Sequence, residues 1–211
     1  MKEYKLPIGC DVPETIILAD GDFPSHPLAL EWLRQCPYVV CCDGAANTYI
    51  RSGRMPEAIV GDGDSLLPDI KERYASLIHS EAEQETNDLS KAFRFCLSQE
   101  RKRITIMGAT GKREDHTIGH VSLLADYMEQ AEVSMMTDYG IFVPIREDSM
   151  FESYIGQQIS VFNMNSTALS AEGLAYPLSV FTNWWQGTLN EALARHFIIR
   201  TEGKVLVFRV F

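Results

Sequence analysis

The sequence predicts an α/β protein: a doubly wound, mostly parallel sheet domain over residues 1–137, followed by a small all-β sandwich domain over residues 138–211. Short runs that are apolar throughout alternate with segments of helical period in the first two-thirds of the chain, as strands buried on both faces of a parallel sheet require. Aspartate and glycine repeatedly close those runs, at the strand ends where such sheets bind ligands. After about Thr137 the helical period disappears, and β-branched and aromatic runs punctuated by Gly156, Gly173, Gly187 and Gly203 take over.

The elements follow in order. Thr15–Ala19 reads as a strand ending in Asp20-Gly21-Asp22, and His26–Cys36 as a helix with Leu28, Leu30, Trp32 and Leu33 inward. Tyr38–Cys42 is a strand closing on Asp43-Gly44, and Ala45–Ser52 a short helix. Ala58–Val60 is a brief strand closing on Gly61-Asp62, and Pro68–Ala75 is helical. Asn87–Gln99 is a stronger helix, with Leu89, Phe93, Cys96 and Leu97 on one face. Ile104–Met107 (strand), Thr117–Met128 (helix) and Glu132–Met136 (strand) complete the first domain. The second is predicted from Ile141–Ile145, Gln158–Phe162, Val180–Thr182, Phe197–Arg200 and Val205–Phe211 as strands.

Composition narrows the function. A hydrophobic fraction of 45% over 211 residues supports a buried core. With a net charge of −10 and basic residues clustered only at Arg101-Lys102-Arg103, no surface is suited to nucleic acid. An anionic nucleotide remains compatible if a divalent cation screens its phosphates. The cysteines, Cys10, Cys36, Cys41, Cys42 and Cys96, are odd in number and lack Cys-x-x-Cys spacing, so reduced core thiols are expected and a zinc site is not. Met1–Pro13 carries no apolar h-region and no run is long enough to span a bilayer, so a cytoplasmic protein without membrane contact is expected.

The sharpest local feature is Gly61-Asp62-Gly63-Asp64-Ser65. In extended backbone, residues two apart share a face, which sets two carboxylates about 7 Å apart at the backbone. Hard oxygen ligands beside water and phosphate suit Mg2+. Alone, the motif reads equally as a surface turn. Asp43 follows a second apolar strand, and Asp88, in Thr86-Asn87-Asp88, opens a helix; singly, each also reads as a helix cap or dipole partner. Together these junctions place acidic groups along one sheet edge. Gly108-Ala109-Thr110-Gly111-Lys112-Arg113-Glu114-Asp115-His116 adds a glycine-and-base loop between strand and helix, a plausible phosphate cradle. Walker and Gly-x-Ser-x-Gly motifs are absent, and Gly-Ala-Thr-Gly is a weak match to a dinucleotide fingerprint.

In this order, Asp-Gly-Ala-Ala-Asn, Gly-Asp-Gly-Asp-Ser, Thr-Asn-Asp and the Gly108–His116 loop resemble the thiamine pyrophosphokinase family. Gly173-Leu174-Ala175-Tyr176-Pro177-Leu178 and Gly187-Thr188-Leu189-Asn190-Glu191 resemble its later motifs, so the likeness spans essentially the whole chain. The resemblance implies a homodimer that transfers pyrophosphate from ATP to the hydroxyl of thiamine, giving thiamine diphosphate and AMP. It implies Asp43, Asp62, Asp64 and Asp88 as the acidic, Mg2+-linked set. Gly108, Thr110, Gly111, Lys112, Arg113 and Asp115 would face ATP. Tyr176 and Asn190 would serve thiamine, with Trp184 and then Trp185 as further aromatic candidates whose plainer role is core or dimer packing. Three positions depart from the family's pattern: Leu189 in place of a serine, Lys112 in place of a second glycine, and Gly63 in place of a bulkier residue. Leu189 keeps a related Mg2+-dependent phosphotransferase acting on another alcohol open. A non-catalytic nucleotide- or thiamine-binding regulator also stays open, and a dinucleotide-dependent oxidoreductase is supported only by Gly-Ala-Thr-Gly.

Overall fold

The computed structural model describes residues 1–7, 12–81, 83 and 85–211; Cys10 falls outside them. The first part runs β1 (Lys2–Tyr4), β2 (Thr15–Leu18), α1 (Pro27–Gln35), β3 (Val39–Cys42), α2 (Ala45–Arg51), β4 (Ala58–Gly61), α3 (Pro68–Arg73), β5 (Ile78–Ser80), α4 (Asp88–Ser98), β6 (Arg103–Met107), α5 (Glu114–Tyr127) and β7 (Glu132–Met136). Seven strands follow: β8 (Gly140–Ile145), β9 (Ser149–Glu152), β10 (Gln158–Asn163), β11 (Leu169–Glu172), β12 (Asn190–Glu191), β13 (His196–Thr201) and β14 (Val205–Val210).

Strands β2, β3 and β4 are buried at every position, which is why their sequences do not alternate. They lie in one large sheet of order β12-β10-β14-β8-β7-β6-β2-β3-β4-β5. The stretch from β5 to β7 is parallel; β8, β14, β10 and β12 add antiparallel. The chain works outward from β2 to β5 and then returns to β6 on the other side of β2. The order therefore reverses between β2 and β6, and their carboxyl ends border the crevice where doubly wound sheets hold ligands. The sheet continues across residues 137–138 through the β7–β8 pair, Met135 opposite Phe142.

A second sheet, β1-β9-β13-β11, shares a core with one face of the first, where Ile16, Leu18, Trp32, Phe151 and Phe197 are buried together. Ile17 and Val40 face the other way, onto Leu89 and Phe93 of α4 and Leu124 of α5. The capping signals act locally. Asn87 accepts the Ser90 N–H at 2.8 Å to start α4, and Pro27 opens α1 behind His26.

Several elements differ from what the sequence predicts. β1 and β5, of three residues each, are too short for a period to register. β9 and β11 alternate over only four residues, too briefly for the pattern to stand out. The strand expected at Val180–Thr182 is a loop: the Phe181 carbonyl accepts the Asn163 amide at 3.1 Å instead of joining a ladder, while its ring packs on the core. Helix α5 begins at Glu114 rather than Thr117, which brings Glu114 and Asp115 into its first turn, where the helix dipole favours them.

Candidate active site

The carboxyl ends of β2, β3, β4 and β6, with the start of α4, enclose a cleft of about 420 Å³. Asp43, Asp62, Asp64 and Asp88 all line it. Carboxylate oxygens of Asp43, Asp62 and Asp64 lie within 4.8 Å of one another. Asp88 is in the same cleft, but its Oδ1 pairs with Lys91 Nζ at 3.1 Å.

The backbone builds this cluster under constraint. Asp43 ends β3 at φ 33°, in the left-handed region that a non-glycine residue seldom occupies. It does not cap α2, whose N-cap is Gly44. Its Oδ2 instead accepts the Ser65 N–H at 3.1 Å, tying the end of β3 to the Gly61–Ser65 loop. Its Oδ1 is buried with no hydrogen-bond partner among the described residues. Burial pushes the Asp43 carboxyl above its ordinary range; the Ser65 N–H opposes this, and the charges of Asp88 and Asp62 add to it. A desolvated carboxylate with an orphaned oxygen beside two like charges is arranged for a cation.

Gly61 is required at its position, because a Cβ there would stand 2.7 Å from the Asp43 Cβ. Gly61→Ala is expected to displace Asp43 and to lower the thermal midpoint by about 2 °C or more, read by calorimetry, at a cost of about 1–3 kcal/mol. The loop is braced further. Asp62 Oδ1 accepts the Asp64 N–H at 3.1 Å, and Lys71 Nζ donates to the Gly63 carbonyl at 2.8 Å. Asn47 donates to the Ser65 carbonyl at 2.8 Å and accepts the Leu67 N–H at 3.0 Å.

The glycine-rich loop after β6 is zipped to the loop after β2. Gly21 N–H donates to the Gly108 carbonyl at 2.6 Å, and Asp22 N–H to the Thr110 carbonyl at 2.8 Å. Gly108 is at φ 64°, and a Cβ there would meet the Ala19 carbonyl at 2.6 Å. Gly111, Lys112 and Arg113 line the cleft; Gly108, Thr110 and Asp115 do not, and serve the loop's shape or the helix start. Lys112 Nζ pairs with Asp20 Oδ1 at 3.0 Å across the opening. Arg113 holds Asp115 at 2.5 Å, and this bond lowers the Asp115 carboxyl to about 2.

Lys91 is the main residue that sequence reasoning passes over. Its side chain is 3% exposed on the cleft wall. Burial disfavours its charge, but the Asp88 hydrogen bond and the charges of Asp88 and Asp62 outweigh that, leaving its pKa raised. The available signal is a lysine inside the buried stripe of α4, three residues after Asp88. Asp20 carries the same strand-end signal as Asp43, and Asn47 stands in the Asp-Gly-Ala-Ala-Asn motif without a role that the sequence alone assigns.

Two family models cover most of the chain: the thiamin pyrophosphokinase catalytic domain over residues 29–136, and the thiamin pyrophosphokinase substrate-binding domain over residues 140–208. The chain belongs to the thiamin pyrophosphokinase family. Thiamine pyrophosphokinase 1 of Oryza sativa subsp. japonica is 29% identical over 129 residues, 49% of each chain. Thiamin pyrophosphokinase 1 of Caenorhabditis elegans is 30% identical over 110 residues, 48% of this chain and 45% of the relative. The chain thus spans about half the length of the curated relatives it matches. The yeast thiamin pyrophosphokinase structure superposes with a TM-score of 0.80 at 16% identity, covering 100% of this chain and 91% of that one. The Bacillus subtilis structure gives 0.78 at 20%, covering 93% and 98%. At these identities the structures support the shared fold.

Within the substrate-binding region of this thiamin pyrophosphokinase-family chain, Tyr176 is 64% exposed, Trp185 74% and Leu189 76%, the last at φ 62°. Trp184 packs edge-on against Phe162, ring centroids 6.0 Å apart. Asn190 is buried, and its amide holds the backbone on both sides: Oδ1 accepts the Tyr176 N–H at 3.0 Å and the Glu191 N–H at 2.9 Å, and Nδ2 donates to the Tyr176 carbonyl at 2.8 Å. It therefore fixes the backbone that presents the tyrosine. The described residues lining the acidic cleft include neither Tyr176, Trp184 nor Asn190.

Proposed function

We propose that this chain is a Mg2+-dependent thiamine pyrophosphokinase that uses ATP and acts in the cytoplasm as a homodimer. The observation that carries the chemistry is the Asp43–Asp62–Asp64 cluster with its orphaned, buried Asp43 Oδ1 at the sheet's switch point. Among the described residues no helix is long and apolar enough to cross a membrane.

Asp43, Asp62 and Asp64 fit a divalent cation that prefers hard oxygen ligands, and would hold it. Magnesium bound there supplies charge neutralisation on the phosphates and orients them. The chain's own cations share that task. Lys91 sits desolvated on the wall, and Lys112 and Arg113 stand on the loop after β6 with partners that phosphate can replace. The thiamine hydroxyl attacks the β-phosphorus of ATP. A new oxygen–phosphorus bond forms, the hydroxyl loses its proton to solvent, the bond from the β-phosphorus to the oxygen of AMP breaks, and AMP leaves with that electron pair. Little covalent chemistry is asked of the protein, so positioning and charge placement supply most of the rate.

The aromatic side chains support the proposed dimer. Tyr176 and Trp185 are exposed yet absent from their own chain's acidic cleft, so a ligand touching Tyr176 and the phosphates together draws its aromatic contact from a second copy. The thiazolium cation favours such a ring beside an acidic site. Tyr176→Ala is expected to raise the thiamine KM about tenfold while leaving the ATP KM within twofold. Asn190→Ala should reproduce the KM effect and also lower the thermal midpoint, because it frees both polar groups of the Tyr176 backbone. Substrate choice is tested by steady-state assay with ATP, Mg2+ and a panel of alcohols. Thiamine should give the highest kcat/KM; preference for another alcohol would move the chain to a different phosphotransferase.

A further inference from the structure

On its α5 side the acidic cleft carries two side chains that the phosphate chemistry does not use. His116 and His120 both line it, one helical turn apart, with ring centroids 6.1 Å apart and planes at 68°. Among the described residues lining the cleft, these are the only aromatic rings. The His116 side is exposed and His120 is half-buried. His120 Nδ1 lies 2.8 Å from the Ala109 carbonyl. A carbonyl only accepts, so Nδ1 carries the hydrogen, and the neutral ring leaves Nε2 as an acceptor. Nε2 has no hydrogen-bond partner among the described residues, yet it is not a buried orphan as Asp43 Oδ1 is. Solvent therefore reaches it, on a ring that lines the cleft. Between the two histidines stands Gly119, where a Cβ would meet nothing within 4 Å. Packing does not demand glycine there, and glycine weakens a helix interior, but it leaves the helix bare beside the rings.

The charged groups decide which end of a nucleotide meets this wall. The carboxylates of Asp43, Asp62 and Asp64 stand at the ends of β3 and β4, and Lys112 and Arg113 on the loop after β6. β2 lies between β3 and β6, so the two groups are about two strand spacings, roughly 10 Å, apart. Phosphates held between a cation at the carboxylates and the loop's cations run toward α5. The nucleoside beyond them meets the two imidazoles. The start of α4 offers Asp88 and Lys91 instead, charged groups without a ring.

We propose that His116 and His120 form the nucleobase subsite of this cleft and set its choice of purine, an inference that rests on the ATP reading above. The His116 ring stacks on the base, and His120 Nε2 accepts a hydrogen bond from the 6-amino group of adenine. A 6-oxo purine places an acceptor there, so two lone pairs face each other with no hydrogen between them. Stacking is indifferent to that exchange, because every base has a π-face. Discrimination therefore falls to His120.

The test compares ATP with inosine triphosphate, its 6-oxo counterpart, in steady-state assays of thiamine diphosphate formation by the full chain with Mg2+ and saturating thiamine. The wild type should show a kcat/KM at least about tenfold higher for ATP. His120→Leu should lower kcat/KM for ATP about tenfold and leave that for inosine triphosphate within about twofold, so that the preference disappears. His120→Gln can donate to the Ala109 carbonyl and still accept from the 6-amino group, and should retain the preference. It keeps the test decisive if leucine disturbs the loop. His116→Ala should raise KM for both nucleotides by about the same factor, several-fold, and leave their ratio unchanged. Equal use of both nucleotides by the wild type, or a preference that survives in folded His120→Leu, would overturn the proposal and leave the ATP reading standing. No thiamine diphosphate from either nucleotide would overturn both.

Discussion

Asp43→Asn should reduce AMP formation by at least about a thousandfold, equivalent to about 4 kcal/mol of transition-state stabilisation, and should leave the metal-free protein more stable than the wild type. The two effects have one cause. Asp43 is buried at 3% exposure, holds one orphaned oxygen and faces the charges of Asp62 and Asp88. Without a cation the folded state must keep that carboxylate desolvated beside like charges. The amide removes the charge, keeps an oxygen for the Ser65 N–H and suits the left-handed backbone at φ 33°. The folded carboxyl is raised above its usual 3.8, so between that value and the folded one the native protein binds more protons than the unfolded chain. Wild-type stability measured in chelator should therefore rise as pH falls through the folded value, and the asparagine variant should lack that rise. Magnesium should stabilise the wild type and leave the variant's midpoint unchanged. A metal-free variant less stable than wild type would show that Asp43 serves the fold rather than a cation.

The Asp88–Lys91 pair should respond unequally to loss of its two members. Lys91 is 3% exposed in its side chain and Asp88 38%. Asp88→Asn leaves a buried ammonium without its counter-charge, and a loss of about 3–5 kcal/mol is expected by denaturant titration. Lys91→Met leaves a carboxylate that water already reaches, and puts an apolar chain of similar length in an apolar wall. About 1 kcal/mol or less should be lost. Activity should fall in both, by about a hundredfold or more for Lys91→Met, because a desolvated cation facing developing phosphate charge acts strongly. The folded pKa of Lys91 lies above its usual 10.5, so the pair's contribution is fully present below that value and lost only as pH rises through the folded one. The difference between the variants should hold through the neutral range. Equal destabilisation would contradict the burial argument.

The parallel sheet is legible in the sequence because its strands are buried on both faces, and nothing but apolar residues satisfies β2, β3 and β4. Asp43, Asp62 and Asp64 are legible as strand-end carboxylates and Asp88 as the first residue of a helix, since a doubly wound topology brings strand ends and helix starts together. What the residues do not announce is how the carboxylates divide. Whether Asp88 faces a cation or an ammonium depends on Lys91, one residue on a helix that reads as amphipathic. Asn190 is expected beside thiamine through the family's motif. Its amide is spent on the Tyr176 backbone, a contact 14 residues distant that no local period records. The loop at Val180–Thr182 reads as a strand because its aromatic residue is half-buried by packing and its carbonyl is met by one amide, which imitates a strand's composition without a ladder. β9 and β11 show the reverse: real strands of four residues whose pattern is too brief to register.

The central claim is pyrophosphoryl transfer at the cleft of Asp43, Asp62 and Asp64, and its most direct measurement is a product analysis. The full chain is incubated with ATP, Mg2+ and thiamine, and the products are separated and quantified by chromatography with mass detection. AMP and thiamine diphosphate should appear in equal amounts, only with Mg2+ present, and neither should accumulate with Asp64→Ala. Formation of ADP with thiamine monophosphate, or binding of both substrates without any AMP, would contradict the account.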